Sequence, residues 1–106
     1  MKIAIASTGN SLSSKVDQRF GRCAYFVIYD TDTKSFEFIP NGGKNAGEGA
    51  GSAAVQLVVS RNVSKIVSGE FGVKVKPLLD SLKIQMISIK GDHTVQEIID
   101  MMEGTN

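Results

Sequence analysis

Five short apolar runs, separated by polar turns or helix-like segments, constrain the fold of this chain more than any other feature. Each run is rich in β-branched or aromatic residues and is bounded by small polar residues, glycine or proline, which is typical of buried strands. The runs are residues 2–6, 25–30, 35–39, 65–68 and 84–89. A polar turn at residues 31–34 joins the second run to the third and predicts a hairpin. Phe36 and Phe38 alternate with Glu37, which predicts an edge strand with one solvated face.

Three helices are predicted between and after the later strands. Residues 52–61 place small and apolar side chains at helical spacing, and residues 75–82 contain Pro77, which a helix tolerates only in its first turn. The last helix carries the clearest signals, because Thr94 and Glu97 form a capping box ahead of an apolar stripe. The resulting order, βββαβαβα, predicts an α/β domain with a mixed sheet and helices for both of its faces.

The element order also predicts where a binding site lies. The most economical sheet places the first strand at the centre, the second and third on one side, and the fourth and fifth on the other. When only the second strand runs antiparallel, the connections 7–23, 41–51, 68–72 and 90–93 meet at one end. Open α/β sheets bind ligands at the carboxyl ends of their parallel strands. We therefore expect the functional residues at this end of the sheet.

Length, charge and cysteine content narrow the class of protein. The 106 residues suit one domain over 1–106, and the balance of 12 basic against 11 acidic residues argues against a nucleic-acid binder. Lys74, Lys76 and Lys83 lie close together, which a solvated helix face explains. No apolar run spans a bilayer, the first residues read as a core strand, and one cysteine forms no internal disulfide. We expect a cytoplasmic protein that binds neither nucleic acid nor membrane.

The connection from Thr8 to Cys23 concentrates the reactive side chains. It holds Arg19, Arg22 and the only cysteine, and the two arginines are expected to lower the pKa of Cys23 and favour the thiolate. A small, buried apolar role explains a free cysteine beside a strand equally well. His93, the only histidine, is expected at the same end of the sheet, where it and Cys23 form a candidate ligand pair for an iron or iron–sulfur centre. An exposed loop histidine is the alternative.

A glycine-rich segment leads into the first predicted helix, whose free N–H groups and dipole favour an anion. Residues 49–54 match the dinucleotide pattern G-x-G-x-x-A, and Glu70 follows at a suitable distance. The segment starts about ten residues after the third strand, however, whereas that pattern needs an immediate strand-to-helix turn. We interpret Gly49 and Gly51 as part of a flexible loop that faces an anion or a cluster, with Ser52 at the helix start that follows it.

No catalytic arrangement is evident. Asp17, Glu48 and Glu70 are candidate carboxylates, but their spacing specifies no acid–base pair. No usable order of nucleophile, histidine and carboxylate is present either. The residues therefore predict a protein that is not an enzyme.

Three segments of the chain form a combined pattern: Val16-Asp17-x-Arg19-Phe20-Gly21-Arg22-Cys23-x-Tyr25-Phe26, Gly49-Ala50-Gly51-x-Ala53-Ala54-x-Gln56 and Ser68-Gly69-Glu70-x-Gly72. Together they resemble the dinitrogenase iron–molybdenum cofactor biosynthesis family, and the resemblance covers essentially the whole chain. It implies a ribonuclease H-like, three-layer α/β/α fold whose mixed sheet has the strand order 3-2-1-4-5, with strand 2 antiparallel.

The resemblance also implies a function. Relatives carry iron–sulfur cofactor precursors between assembly proteins, so this small stand-alone chain is expected to carry an iron–sulfur or iron–molybdenum-type cluster between donor and acceptor proteins, outside nitrogen fixation. Some relatives have histidine where Arg19 stands, so one potential ligand is missing here. Cys23 is the expected anchoring ligand and His93 an optional second one. The other expected binding residues are Arg19, Phe20, Gly21, Arg22, Gly49, Gly51, Ser52 and Glu70.

Two other functions remain open from the residues. The first is a protein that binds a small anion or a nucleotide at the glycine-rich helix start. The second is an interaction module in which the loops of Phe20 and Phe71 dock on a partner, which requires a contiguous exposed apolar patch.

Overall fold

Strand order and direction decide which connections meet at the expected binding end of the sheet. The computed structural model describes residues 1–42 and 49–103. Its elements are β1 (Lys2–Ser7), β2 (Tyr25–Asp30), β3 (Phe36–Pro40), α1 (Ala50–Val59), β4 (Lys65–Ser68), α2 (Val75–Ser81), β5 (Gln85–Ser88) and α3 (Val95–Met102). The predicted element types and their order are confirmed. Within the described ranges, no helix is both long enough and apolar enough to cross a membrane.

The central strand is β1, in a sheet of order β3-β2-β1-β4-β5. It pairs antiparallel with β2, where Ile3 lies opposite Tyr29, and parallel with β4, where Ile5 lies opposite Val67. The outer pairs are antiparallel β2–β3 and parallel β4–β5. The predicted order and the antiparallel direction of β2 are therefore confirmed, and the carboxyl ends of β1, β3, β4 and β5 lie at one end.

Alternation along β1 divides the interior into two apolar layers. Ala4 and Ala6 face α1 and α2, whereas Ile3 and Ile5 face α3, and none of the four is exposed to solvent. The short alanines leave room on the α1/α2 side for aromatic rings, among them Phe26. Branched side chains fill the α3 side. Helices thus cover both faces of the sheet, as the element order predicts.

The strand β3 lies at an edge, as predicted, but its two faces are less distinct than the alternation suggests. Phe36 is 45% exposed and meets Phe38 edge-on, with the ring centroids 5.9 Å apart. Glu37 is exposed, yet Ile39 on the same side of the strand is buried. The expected single solvated face is wrong, because the apolar layers on the two sides of β3 reach Phe38 and Ile39 but leave Phe36 and Glu37 exposed.

Candidate binding cleft

The first half of the connection between β1 and β2 is fastened to the sheet and to α3. The N–H of Thr8 donates to the carbonyl of Lys15 at 3.0 Å, and the N–H of Asp17 donates to the carbonyl of Ala6 at 2.9 Å. The N–H of Val16 donates to the carbonyl of His93 at 2.8 Å. These backbone hydrogen bonds hold residues 8–17 against the end of the sheet. The position of the residues that follow, from Gln18 onward, is therefore fixed at one end.

The second half of the connection packs across the end of β4. The N–H of Gly69 donates to the carbonyl of Asp17 at 2.9 Å, and the N–H of Phe20 donates to the carbonyl of Glu70 at 3.3 Å. A Cβ on Gly69 would lie 2.4 Å from the Cα of Gln18, so only glycine allows the two backbones to approach this closely. The position of the Phe20 turn is therefore set by backbone contacts.

The ring of Phe20 is an anchor and not a docking surface. It is 2% exposed and packs against Phe26 and Phe71, with centroid separations of 5.3 Å and 5.6 Å. Phe71 is itself buried, at 7% exposure. The exposed apolar patch that the interaction-module alternative requires is not formed by these two rings, because both are enclosed by the layer beneath α1 and α2.

Gly21 and Gly51 bring three elements together. A Cβ on Gly21 would lie 3.1 Å from the Cα of Gly51, and a Cβ on Gly51 would lie 2.8 Å from a methyl carbon of Val75 in α2. The glycines of these motifs therefore permit close packing of the Phe20–Gly21 turn, α1 and α2. Gly51 belongs to α1 and not to a flexible loop, because the helix starts at Ala50.

A cleft of about 390 Å³ opens between the turn, the start of α1 and the loop after β4. Six of the expected binding residues line it: Arg19, Phe20, Gly21, Arg22, Gly51 and Glu70. Two others adjoin it along the chain, since Gly49 precedes α1 and Ser52 lies in its first turn. The structure thus gathers the expected binding residues at the predicted end of the sheet.

The electrostatic character of the cleft favours an anion. Among the described residues, no side chain caps the start of α1 and no acidic residue lies in its first turn, so its N–H groups and dipole carry positive partial charge toward the cleft. The side chain of Arg19 is 68% exposed, and its Nε lies 3.6 Å from Asp17 Oδ1. Arg22 is exposed at the same rim, and Glu70 supplies the opposing carboxylate.

Cys23 lies in the apolar layer and is not among the residues that line the cleft. It is completely buried, its Sγ donates to the carbonyl of Phe20 at 3.4 Å, and Asn41 Nδ2 lies 3.8 Å from the same sulfur. Burial, with the negative charge of Asp17, raises the pKa of Cys23 from 9.0 to about 12. The expected low pKa is wrong, because desolvation of a thiolate here outweighs the effect of the two exposed arginines.

His93 does not join Cys23. It precedes α3 on the other face of the sheet, its carbonyl is bound by Val16, and its Nδ1 lies 3.9 Å from Glu97 Oε2. The structure therefore does not bring the two expected ligands together. No group of three or more histidine, cysteine, aspartate or glutamate residues that could hold a metal ion occurs within 1–42 and 49–103.

The candidate carboxylates differ in their surroundings, and the glycine pattern lacks the setting of a dinucleotide site. Asp17 is buried and its Oδ1 accepts a hydrogen bond from the N–H of Arg19 at 2.9 Å, whereas Glu70 is exposed. Glu48 lies outside the described residues. Because β3 ends at Pro40 and α1 starts at Ala50, the immediate strand-to-helix turn of a dinucleotide fold is missing.

Asn41 is a site residue that the sequence patterns did not reveal. It is 4% exposed, and its Nδ2 donates to the carbonyls of Gly21 at 3.1 Å and Cys23 at 2.9 Å. These bonds tie the end of β3 to the arginine-bearing turn. The Pro-Asn-Gly sequence signals only a chain break, since the carbonyls that Asn41 binds lie 18 and 20 residues away.

A larger hollow, of about 470 Å³, lies on the α3 face of the sheet. Its walls include Leu12, Phe36 and Ile99, and it contains the ion pair between Lys34 and Glu103. It holds none of the expected binding residues. We therefore place the candidate site in the smaller cleft, where the positive charges and the free helix start converge.

The fold and the cleft define a small α/β protein with a candidate binding cleft at the carboxyl end of its sheet. The chain belongs to the dinitrogenase iron-molybdenum cofactor family, whose model matches residues 1–104. No curated protein matches it.

Two solved structures support this relationship. The apo form of the orange protein from Desulfovibrio gigas is 30% identical, with a TM-score of 0.87 over 97% of this chain and 88% of that one. A NifB-like protein of the DUF35 family from Thermotoga is 31% identical, with a TM-score of 0.78 over 97% of this chain and 87% of that one. The family and these neighbours indicate a small cofactor-binding or carrier protein.

Proposed function

We propose that this protein binds and carries an anionic metal–sulfur cluster, of iron–sulfur or iron–molybdenum type, and catalyses no reaction. The observation that carries the proposal is that Arg19 and Arg22 meet, at one cleft, a helix start that no described side chain caps. Membership of a family described by the iron–molybdenum cofactor supports a metal–sulfur cargo. A role outside nitrogen fixation, with separate donor and acceptor proteins, is part of the same proposal.

The groups available in this structure favour retention of the cluster by charge and hydrogen bonding over retention by bonds from side chains to the metal. Cys23 and His93 lie on opposite sides of the sheet, and the thiol of Cys23 is buried with a raised pKa. Ligation by Cys23 requires the side chain to leave the apolar layer and lose its proton. The N–H groups at the start of α1, together with Arg19 and Arg22, are already placed to balance negative charge.

An open cleft suits a cargo that must leave as well as bind. The cleft has polar and apolar walls, because Ala50, Phe71 and Val75 line it together with the arginines. Sulfide-rich cluster surfaces are soft and weakly hydrated compared with phosphate, so a mixed wall suits them. We therefore expect a preassembled cluster, bound without covalent attachment to the chain.

A small phosphorylated ligand or nucleotide is the second candidate. The same helix start and the same arginines favour phosphate oxygens as well as cluster sulfides. Such a ligand is colourless, and it should compete with a metal–sulfide anion for the cleft.

The test is anaerobic loading of the purified protein with tetrathiomolybdate, or with iron and sulfide, followed by gel filtration and visible absorbance. The variants are Arg19→Gln/Arg22→Gln, Cys23→Ala and the control Arg61→Gln. Arg61 is paired with Glu37 at 2.8 Å and is not among the cleft residues. We expect the double arginine variant to lose affinity by about tenfold or more, and the other two to retain the coloured cargo.

Three results would contradict parts of this proposal. Retention that needs Cys23 but not the arginines would restore cysteine ligation, which the sequence alone predicts. Equal losses in the double variant and in Arg61→Gln would remove the cleft as the site. Absence of any coloured cargo, with saturable ATP or phosphate binding that needs Arg19 and Arg22, would establish the second candidate instead.

A further inference from the structure

The larger hollow, on the α3 face of the sheet, is a cavity that the proposed cargo function does not use. Its volume of about 470 Å³ lies within the roughly 300–1,000 Å³ that is typical of small-molecule sites. The β2–β3 hairpin, the connection between β1 and β2 and the region of α3 each supply part of its lining. This cavity, here called the α3 hollow, therefore lies between three elements, and it shares no lining residue with the cargo cleft.

The walls of the α3 hollow are held in place by the fold. The carbonyl of Leu12 accepts a hydrogen bond from an N–H group in the first turn of α3 at 2.9 Å. Tyr29 lies directly opposite Phe36 in the β2–β3 pair, so their side chains leave the sheet on the same face. In addition, Lys34 of the hairpin turn forms an ion pair with Glu103, the C-cap of α3. The hollow is therefore preformed, as small-molecule sites usually are.

Tyr29 presents an unpartnered hydroxyl group to the hollow. Tyr29 is 4% exposed and lines the hollow, and none of the hydrogen bonds found within 1–42 and 49–103 involves its hydroxyl. The polar side-chain atoms of the described residues that are both shielded from solvent and unpartnered belong to His93 and Glu103, so the Tyr29 hydroxyl stays accessible. Buried tyrosines usually place the hydroxyl against a hydrogen-bond partner. A ligand in the hollow would supply the partner that Tyr29 lacks.

Aromatic and aliphatic side chains form the apolar part of the lining. The ring of Phe36 is 45% exposed, and it lines the hollow together with Leu12 and Ile99. A ligand with an apolar or aromatic body would remove this ring surface from water. The face of a phenylalanine ring also attracts a cation placed within about 6 Å of its centre. This part of the lining therefore suits an apolar ligand, including one that carries a positive charge.

The polar part of the lining carries an excess of negative charge. Asp100 and Glu103 lie one turn apart, and Lys34 is the single basic residue among the described residues that line the hollow. Gln96, one turn before Asp100, donates from Nε2 to Asp100 Oδ1 at 2.9 Å. Two carboxylates against one ammonium group leave the lining negative, so a cationic ligand is favoured over an anionic one.

The carboxylate of Glu103 has unused acceptor capacity. Lys34 Nζ donates to Glu103 Oε1, whereas Glu103 Oε2 is shielded from solvent and has no hydrogen-bond partner within the described residues. The side chain of Lys34 is 63% exposed, while that of Glu103 is 16% exposed. Lys34 can therefore move into solvent and give a donor in the hollow access to this carboxylate, which would relieve an unsatisfied buried acceptor.

We infer that the α3 hollow is a binding site for a small organic cation that has an apolar or aromatic body. The ammonium group of the ligand replaces the Lys34 side chain beside Glu103, close to Asp100. The body of the ligand covers the ring of Phe36, and the hydroxyl of Tyr29 accepts a hydrogen bond from the ligand. This site goes beyond the proposed carrier function and does not depend on it, because the hollow and the cargo cleft are lined by different residues.

The first test titrates the full chain, labelled with nitrogen-15, with tryptamine and phenethylamine and follows the backbone amide resonances. Indoleacetate and phenylacetate are the controls that keep the ring and reverse the charge, and ethylamine keeps the charge without a ring. We expect saturable shifts at residues that line the α3 hollow. The affinity should be at least about tenfold higher for the two aromatic amines than for the three controls, because only they satisfy both parts of the lining.

The second test changes the charges of the lining in opposite directions. Lys34→Gln removes the competing ammonium group and is expected to raise the affinity for tryptamine by about threefold, whereas Asp100→Asn should lower it by about threefold. Arg61→Gln and Asp80→Asn are the matched controls, because neither residue lines the hollow, and they should leave the affinity unchanged. A merely structural role for Lys34 predicts a loss of affinity, since loss of its ion pair would loosen the walls.

Several results would overturn the inference. They are equal affinity for the amines and the matching carboxylates, shifts confined to the cargo cleft, no saturable shift with either aromatic amine, and equal effects of the lining and control variants. Shifts of the same resonances with protein concentration alone would also overturn it, because a second copy of this chain would then occupy the hollow.

Tetrathiomolybdate retention separates this inference from the proposed function. Lys34→Gln and Asp100→Asn should retain the coloured anion at the level of the wild type. If the wild type does not retain the anion, the proposed function fails and the amine titration still stands, whereas a failed titration with intact retention removes only the cation site.

Discussion

Two of the three helices that start at the carboxyl end of the sheet, α1 and α3, differ in how their first N–H groups are capped. At the start of α3, Thr94 accepts from the N–H of Glu97, and the Glu97 carboxylate accepts from the N–H of Thr94 at 2.8 Å. That backbone hydrogen bond holds the pKa of Glu97 below its ordinary value. The carbonyls of Ser14 and Leu12 accept from the next two N–H groups, both at 2.9 Å. Among the described residues, no side chain caps the start of α1.

This difference shows how one connection performs two tasks. Its first half closes α3 with backbone carbonyls, and its second half carries Arg19 and Arg22 to the rim beside α1. A satisfied helix start has little remaining attraction for an anion, whereas an open one retains most of it. The comparison therefore favours α1 as the helix start for the proposed binding and α3 as the one that contributes stability.

The largest expected effect is the change in stability with pH that results from burying the thiol of Cys23 in the layer beneath α1. The folded protein retains the proton of Cys23 up to pH about 12, whereas the unfolded chain loses it near pH 9.0. Because the unfolded state then binds fewer protons, the free energy of unfolding should fall through this range, by about 1.4 kcal/mol per pH unit. Urea unfolding of wild type and Cys23→Ala between pH 8 and 11 measures the difference. Parallel pH profiles of the two proteins would contradict the buried, protonated thiol.

The second prediction concerns a variant that adds a capping carboxylate at the start of α1. Gly49→Asp adds a carboxylate where a Cβ meets no atom of the described residues within 4 Å, so the side chain has room among them. We expect affinity for tetrathiomolybdate to fall by about tenfold, while stability stays equal or rises slightly because aspartate is a good N-cap. Gly49→Asn is the matched control, since it adds a similar side chain without charge. Equal losses in both variants would show that size and not charge matters at this position.

The smallest expected effect comes from removing the side-chain cap at the start of α3. Thr94→Ala removes the side-chain oxygen that binds the N–H of Glu97 at 3.1 Å. We expect the free energy of unfolding to fall by about 1 kcal/mol, with unchanged retention of tetrathiomolybdate. Thr94→Ser keeps the oxygen and serves as the control in the same urea titration. A loss of anion retention in Thr94→Ala alone would couple the two helix starts and refute their separate tasks.

Local patterns were sufficient to predict the elements and the end of the sheet at which the candidate residues gather. The apolar runs, the hairpin turn and the capping box of Thr94 and Glu97 depend on residues a few positions apart, and the structure confirms each of them. The alternation of Phe36 and Glu37 gave a wrong prediction of one solvated face on β3. Whether a strand face is solvated depends on how far the neighbouring apolar layers extend.

The candidate site shows the same difference between what local sequence patterns determine and what tertiary packing determines. The sequence by itself determined that Arg19, Arg22 and the glycine-rich helix start lie together, since strand order alone brings their connections to one end. It did not determine the state of Cys23, because a pKa depends on burial among residues distant in the chain, such as Asn41. Nor did it separate Cys23 from His93, which share an end of the sheet but not a face. Only the tertiary structure decides those matters, because desolvation and contact are properties of the packed chain and not of local spacing.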